Sequence, residues 1–142
     1  MASRETGERS SVLGHTIPRG VAVFLGLGFV AFGAWAMVDP RSFFNTLATF
    51  EPYNQHFLQD IGAFQVGLGA VLLLAGIANC ADGLATALLG VGVGAALHAV
   101  SHIVGRDLGG GPETDIPTFA AMAVVLLVTG GFRWRHARGS AR

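Results

Sequence analysis

The sequence predicts an all-α integral membrane protein, a bundle of four membrane-spanning helices. Hydrophobic residues make up 51% of the 142 residues and charged residues only 13%, about half the charged fraction of an ordinary globular protein. The mean hydropathy is +0.54. The hydrophobic residues are concentrated in four long apolar runs, each close to the length that crosses about 30 Å of hydrocarbon. The lipid bilayer is therefore the first expected partner.

Charge and cysteine content exclude other classes. The formal net charge is zero, so binding to nucleic acid has no electrostatic basis. The single Cys80 cannot form a disulfide within the chain. No glycine-rich phosphate loop and no serine–histidine–aspartate constellation is evident.

The chain begins with a polar tail, residues 1–19, and the membrane domain is predicted at 20–132. Its first span covers about 21–38. The small-x-small pattern Ala34-Trp35-Ala36 also fits a signal-peptide cleavage site. Three more apolar runs follow, which favours a retained helix.

Asp39 and Pro40 end the first span and suit the start of a new helix, with aspartate as its N-cap and proline in its first turn. Apolar residues at helical spacing follow, including Phe43, Phe44 and Phe50. They predict a possible interfacial helix at 42–50 with its phenylalanines toward the lipid. An ordinary connecting loop is the alternative.

The remaining spans are predicted at about 61–80, 84–104 and 116–132. A tight turn joins the second span to the third, and a glycine-rich loop at 105–117 joins the third to the fourth. Residues 133–142 form a basic tail. The spans are rich in glycine, which permits close packing of helices in lipid.

Four spans place both termini on the same side of the membrane. That side carries most of the arginines: Arg4, Arg9, Arg19, Arg133, Arg135, Arg138 and Arg142. The other side has only Arg41 and Arg106. The positive-inside rule therefore predicts that both termini are cytoplasmic. The use of arginine without lysine, together with abundant glycine and alanine, suggests a bacterial genome and hence the bacterial inner membrane.

Two polar stripes are predicted at the outer end of the bundle. His98 and His102 lie four residues apart near the end of the third span, with Arg106 four residues further on, so helical spacing places them on one face. His56 and Asp60 are spaced in the same way at the start of the second span. Because consecutive antiparallel helices are usually neighbours, we expect the two stripes to face each other.

Three readings of this cluster are open. His56, Asp60, His98 and His102 are suitable ligands for a transition metal such as zinc, iron, copper or nickel. The same residues suit a structural network that fixes helix packing, or the handling of protons or small solutes. Haem ligation by two opposed histidines is a special case of the first reading. The zinc-protease motif is incomplete, because Ala99 stands where that motif has glutamate.

The sequence thus predicts a small membrane protein with an outward-facing pocket for a metal ion or a small polar ligand. The alternatives are a membrane-embedded enzyme or redox-complex subunit that uses the same cluster, and a purely structural subunit. A homo-oligomer or a membrane-complex partner is compatible with each of these.

Two stretches resemble known proteins. Residues 54–62 read Asn-x-His-Phe-x-x-Asp-Ile-Gly, and residues 98–102 read His-x-x-x-His. Both are similar to stretches of a group of small four-helix bacterial membrane proteins without an established activity. The layout of 20–132 also resembles the DoxX-like proteins. The resemblance implies a four-helix membrane fold and singles out Asn54, His56, Asp60, His98 and His102. For DoxX-like proteins it further implies redox or stress-response partners, but this chain has no paired cysteines.

Overall fold

The fold is an all-α bundle with four helices long and apolar enough to cross a membrane, as predicted. The computed structural model describes residues 14, 16–78 and 80–139, and within these ranges it contains no strand. The side chains of residues 81 and 82 are outside the description, as is most of the predicted tail 1–19. The helices are α1 (Ile17–Val38), α2 (Pro40–Thr46), α3 (Gln55–Ile77), α4 (Ala81–Val104) and α5 (Pro112–Gly139).

All four spanning helices begin before the apolar runs that predicted them, and local sequence explains the starts of α1 and α3. α1 starts at Ile17 with Pro18 in its first turn, where a missing backbone N–H costs nothing. α3 starts at Gln55, and Asn54 is its N-cap: the side-chain Oδ1 accepts a hydrogen bond from the backbone N–H of Phe57 at 3.1 Å. The first turns of α3 are therefore helical although they precede the apolar run.

The short helix α2 confirms the role of Asp39 and Pro40 but corrects the predicted orientation of the phenylalanines. Asp39 Oδ1 accepts a hydrogen bond from the Ser42 N–H at 3.1 Å. The helix ends at Thr46, earlier than the predicted 42–50. Phe43 and Phe44 are buried rather than turned toward lipid, because α2 folds back onto the ends of α1 and α3. There the two rings form a small core with the buried residues Ala36 and Leu58, and three partly buried residues pack against it: Trp35, Ala48 and Tyr53.

The last helix is longer than predicted at both ends. α5 has 28 residues, about 42 Å at 1.5 Å per residue, whereas the apolar run 116–132 predicted a shorter span. The predicted basic tail is helical as far as Gly139. At the other end, Asp115 Oδ2 accepts a hydrogen bond from the Gly111 N–H at 3.2 Å. This contact satisfies one of the unpaired donors that precede a helix.

The helices associate mainly as two antiparallel pairs, α1 with α3 and α4 with α5, and contacts between the pairs are fewer. Backbone touches backbone where glycines meet in the first pair. A Cβ atom on Gly33 would lie 2.6 Å from the carbonyl oxygen of Gly62, and one on Gly69 would lie 2.7 Å from that of Gly26. Close approach of this kind is what holds helices together in lipid.

The second pair packs glycine against leucine. A Cβ atom on Gly92 would lie 3.0 Å from Leu127, and one on Gly130 would lie 2.9 Å from Leu89. By contrast, added Cβ atoms on Gly90 and Gly94 meet nothing within 4 Å. Gly90 and Gly94, two small residues four positions apart on one helix face, therefore do not form a close contact between helices of the described chain. All four long helices contribute to the central core: Ala22, Leu72, Leu84, Ala87, Leu88, Val91, Ala95, Ala123 and Leu126.

Candidate functional site

The two histidines of α4 lie side by side. His98 and His102 share a face, as their spacing predicted, and their Nε2 atoms are 3.0 Å apart. The rings stack with centroids 4.9 Å apart and an interplanar angle of 19°. Each side chain is only partly exposed. The pair therefore lies near the C-terminal end of α4, with the two Nε2 atoms within hydrogen-bond distance of each other.

Helix α5 supplies two further groups to this pair. Asp115 Oδ2 lies 3.5 Å from His102 Nδ1, and the relative exposures of these two side chains are 23% and 12%. The Phe119 ring stacks on His98 at 4.0 Å between centroids and lies 5.0 Å from His102. Because α4 and α5 are antiparallel, the i,i+4 pair Asp115 and Phe119 meets the i,i+4 pair of histidines.

The carboxylate of Asp115 is held by the start of its own helix. Its Oδ2 accepts a hydrogen bond from the Gly111 N–H at 3.2 Å, and its Oδ1 accepts one from Thr114 Oγ1 at 3.4 Å. Donors on both oxygens fix the orientation of the carboxylate. The negative charge therefore has a defined position beside His102.

The connection between α2 and α3 covers one side of the site. The Phe50 ring meets His102 edge to face, with centroids 5.7 Å apart and an interplanar angle of 68°. The Gly110 N–H donates a hydrogen bond to the Thr49 carbonyl oxygen at 3.3 Å, so this connection is tied to the loop before α5. Aromatic rings thus border the histidines on two sides.

The other predicted site residues do not join this group. His56 and Asp60 form their own i,i+4 pair, with Nε2 and Oδ2 3.5 Å apart, and their side chains are 87% and 56% exposed. Among the residues that the structure describes, no group of three or more His, Cys, Asp or Glu side chains is placed to hold a metal ion. The expected facing of the two stripes is therefore not seen.

Helix pairing explains this difference. The histidine face of α4 is turned to α5 and contacts Phe119, whereas α3 packs mainly on α1. Arg106 also leaves the predicted stripe, because α4 ends at Val104 and Arg106 is exposed in the following loop.

The geometry sets the roles of the ring nitrogens. A carboxylate accepts hydrogen bonds only, so Asp115 favours a proton on the nearby Nδ1 of His102. In that tautomer His102 Nε2 is the hydrogen-bond acceptor, and it lies 3.0 Å from His98 Nε2. The neutral pair then shares one hydrogen between the two Nε2 atoms. A metal ion in place of that hydrogen would have two imidazole nitrogens, one from each histidine, available as electron-pair donors.

Sequence reasoning missed Asp115 because it assigned 105–117 to a loop, and it gave no role to Phe119, which lies in the predicted span 116–132. A signal was present. Pro112, Glu113 and Asp115 are residues typical of a helix start, and Asp115 and Phe119 repeat the i,i+4 spacing of the histidines on the adjacent antiparallel helix. Extending α5 to Pro112 would have brought both residues opposite His98 and His102.

Comparison with protein-family models, with curated proteins and with solved structures gives no match. The resemblance to DoxX-like proteins stays a prediction.

Proposed function

We propose that this chain is a small multi-pass protein of the bacterial inner membrane whose outward-facing end binds a divalent transition-metal ion through His98 and His102. The observation that carries the proposal is the 3.0 Å separation of the two Nε2 atoms. This site keeps two of the four ligands that the sequence suggested, His98 and His102. His56 and Asp60 are not ligands here, and Asp115 supports the site through His102.

The separation is close to what one metal ion requires. Two histidine nitrogens at about 2.0–2.1 Å from a tetrahedral ion lie about 3.3–3.4 Å apart. Admitting the ion requires an outward movement of about 0.3 Å between the two Nε2 atoms, together with a rotation of the stacked rings that turns both lone pairs toward the ion; side-chain torsions can supply both changes. The i,i+4 spacing on one rigid helix keeps the two donors together without any rearrangement of the backbone.

Asp115 supports the same reading. A histidine that binds a metal commonly donates its other ring N–H to a carboxylate, which fixes the tautomer and raises the basicity of the ligand. Asp115 stands at that position beside His102 Nδ1.

Two protein ligands leave coordination positions open for water or a small polar ligand. Open positions are also the requirement of a catalytic metal. An enzyme or redox-complex subunit would use this same centre.

Charge distribution supports the orientation. The termini of the described chain lie at one end of the bundle, with Arg19 in α1 and Arg133, Arg135 and Arg138 in α5. The histidine end carries more acidic residues than basic ones. The positive-inside rule then gives cytoplasmic termini and an outward-facing metal site.

The test is metal binding by the intact protein in detergent. Wild type, His98→Ala/His102→Ala and Asp115→Asn are loaded with Zn²⁺, Ni²⁺ or Cu²⁺, and bound metal is measured by elemental analysis and calorimetric titration. We expect one ion per wild-type chain, loss of binding in the double variant, and an affinity about 10–100-fold lower in Asp115→Asn. Absence of stoichiometric metal in wild type, or equal metal in the double variant, contradicts the proposal.

A matched control is His56→Ala/Asp60→Asn, which alters the exposed pair. We expect its metal content to equal that of wild type. If metal is lost from this variant, the site is the four-residue set suggested by the sequence rather than the one on α4 and α5.

A structural role is the second candidate, and the stacking of Phe119 on both histidines favours it. If the cluster is structural, His98→Ala/His102→Ala should melt at a lower temperature than wild type even when a chelator removes all metal. If the cluster only binds metal, the two proteins should melt at the same temperature with chelator, and added metal should raise the melting temperature of wild type alone.

A further inference from the structure

An apolar groove runs between the two helix pairs, at the end of the bundle opposite the histidines. Its volume is about 560 Å³, and it is open to the lipid-facing surface. The last turns of α3 and the first turns of α4 line it: Leu68, Val71, Ala75, Gly83, Thr86, Ala87, Gly90 and Val91. The groove exists because α3 and α4 touch less closely than the helices within each pair.

The size of the groove fits a single extended chain. From Gly83 to Val91 the rise is about 12 Å, most of the roughly 15 Å depth of one leaflet's hydrocarbon. Gly83, Ala87 and Gly90 place no long side chain into the space. A Cβ atom added to Gly90 would meet nothing within 4 Å.

Arg19 lies beside the end of α3, three residues beyond the lining residue Ala75, and we call this end of the groove its mouth. There Arg19 Nη2 donates a hydrogen bond to the Ala78 carbonyl oxygen at 3.4 Å. At this end of the described helices Asp82 is the one acidic residue, whereas α5 adds the exposed Arg135 and Arg138. An anionic group at the mouth would be attracted by this charge, most directly by Arg19.

We propose that this groove holds an anionic phospholipid, with an acyl chain along the groove and the headgroup phosphate at Arg19. Lipid tails are as apolar as the groove itself, so burial of the chain alone gives little preference for one lipid over another. Selectivity must therefore come from the headgroup, and a cationic mouth selects an anionic one. The proposal is independent of the metal site.

The experiment is native mass spectrometry of the full chain in detergent, titrated separately with phosphatidylglycerol and phosphatidylcholine of identical acyl chains. For wild type we expect phosphatidylglycerol to bind at least tenfold more tightly. Arg19→Gln should remove that preference, and the matched control Arg106→Gln, an exposed arginine at the other end, should keep it. Equal affinity of the two lipids for wild type would overturn the proposal.

A second pair of variants tests the groove. Gly90→Leu places a side chain in it and should reduce binding of both lipids. Gly94→Leu, one turn further along α4 and also in open space, lies outside the groove and should bind like wild type. Equal lipid binding by Gly90→Leu and Gly94→Leu contradicts the proposal. So does a protein dimer that Gly90→Leu abolishes, since it would assign the groove to a helix of a second copy.

Discussion

Gly110 occupies a position where the backbone and the surroundings both exclude a side chain. Its φ is +76°, in the left-handed region that costs an L-residue roughly 1–2 kcal/mol. A Cβ atom there would overlap the Phe50 ring. The bare backbone of Gly110 therefore permits the Phe50 ring to cover His102.

We expect Gly110→Ala to lower the free energy of unfolding by about 2–5 kcal/mol, the sum of backbone strain and overpacking against Phe50. In the Phe50→Ala background the clash is absent and the cost should fall to about 1–2 kcal/mol. Denaturant titration in detergent measures both. Equal costs in the two backgrounds would show that Phe50 does not occupy this position.

At the residue scale, the sequence predicted what depends on local spacing. The shared faces of His98 with His102 and of His56 with Asp60 follow from the period of one helix, and both pairs are formed. The partner of each pair depends on which helices pack together. Spacing along one chain segment carries no information on that choice, so Asp115 was missed.

At the scale of elements, two glycine contacts bring α1 and α3 together. Gly33 and Gly62 stand opposite each other, and each would place a Cβ atom 2.6 Å from the other's carbonyl oxygen. Because the obstacle is backbone, no side-chain rotation relieves it. The two helices must separate to accept even a methyl group.

Gly33→Ala should therefore destabilise the protein by about 1–3 kcal/mol, seen as a lower melting temperature in detergent. Gly67→Ala on α3 is the control, because its added Cβ meets nothing within 4 Å and alanine favours a helix by about 0.5–1 kcal/mol over glycine. We expect Gly67→Ala to melt at or above the temperature of wild type. If both variants melt alike, the close approach of the backbones is not a source of stability.

Helix existence was predictable from the apolar runs, but helix ends were less so. Hydrophobic runs report where a helix passes through lipid, whereas the helix itself continues as far as its backbone hydrogen bonds are satisfied. Asn54 extends α3 by capping it, and the start of α5 is completed by Asp115. Both additions are polar, so hydropathy did not include them.

At the scale of the whole molecule, the orientation can be tested with the native cysteine. Cys80 is the single cysteine of the chain, is exposed, and lies in the connection between α3 and α4. Cytoplasmic termini place it inside the cell. A membrane-impermeant maleimide should therefore label it only after spheroplasts are permeabilised.

The control is Cys80→Ser/Asp107→Cys, which moves the thiol to the exposed loop between α4 and α5. We expect this variant to be labelled in intact spheroplasts. Labelling of native Cys80 in intact spheroplasts would reverse the orientation and direct the histidine site to the cytoplasm.

The class of fold was the most predictable property, because an apolar run of spanning length has few alternatives. The arrangement of the helices was less predictable. Glycines occur in every span, and only the contacts show which of them bring helices together: Gly26, Gly33, Gly62 and Gly69 meet one another, whereas Gly90 and Gly94 remain open. Composition alone does not distinguish the two sets.

The division into two helix pairs has a mechanical consequence. Each pair is closely packed, so the seam between the pairs is the softest boundary in the bundle. The histidines, Asp115 and Phe119 all belong to the second pair, whereas Phe50 follows α2. The hydrogen bond from the Gly110 N–H to the Thr49 carbonyl oxygen crosses between the pairs at the histidine end. A small rotation of one pair against the other would therefore change the width of the groove more readily than the surroundings of His102.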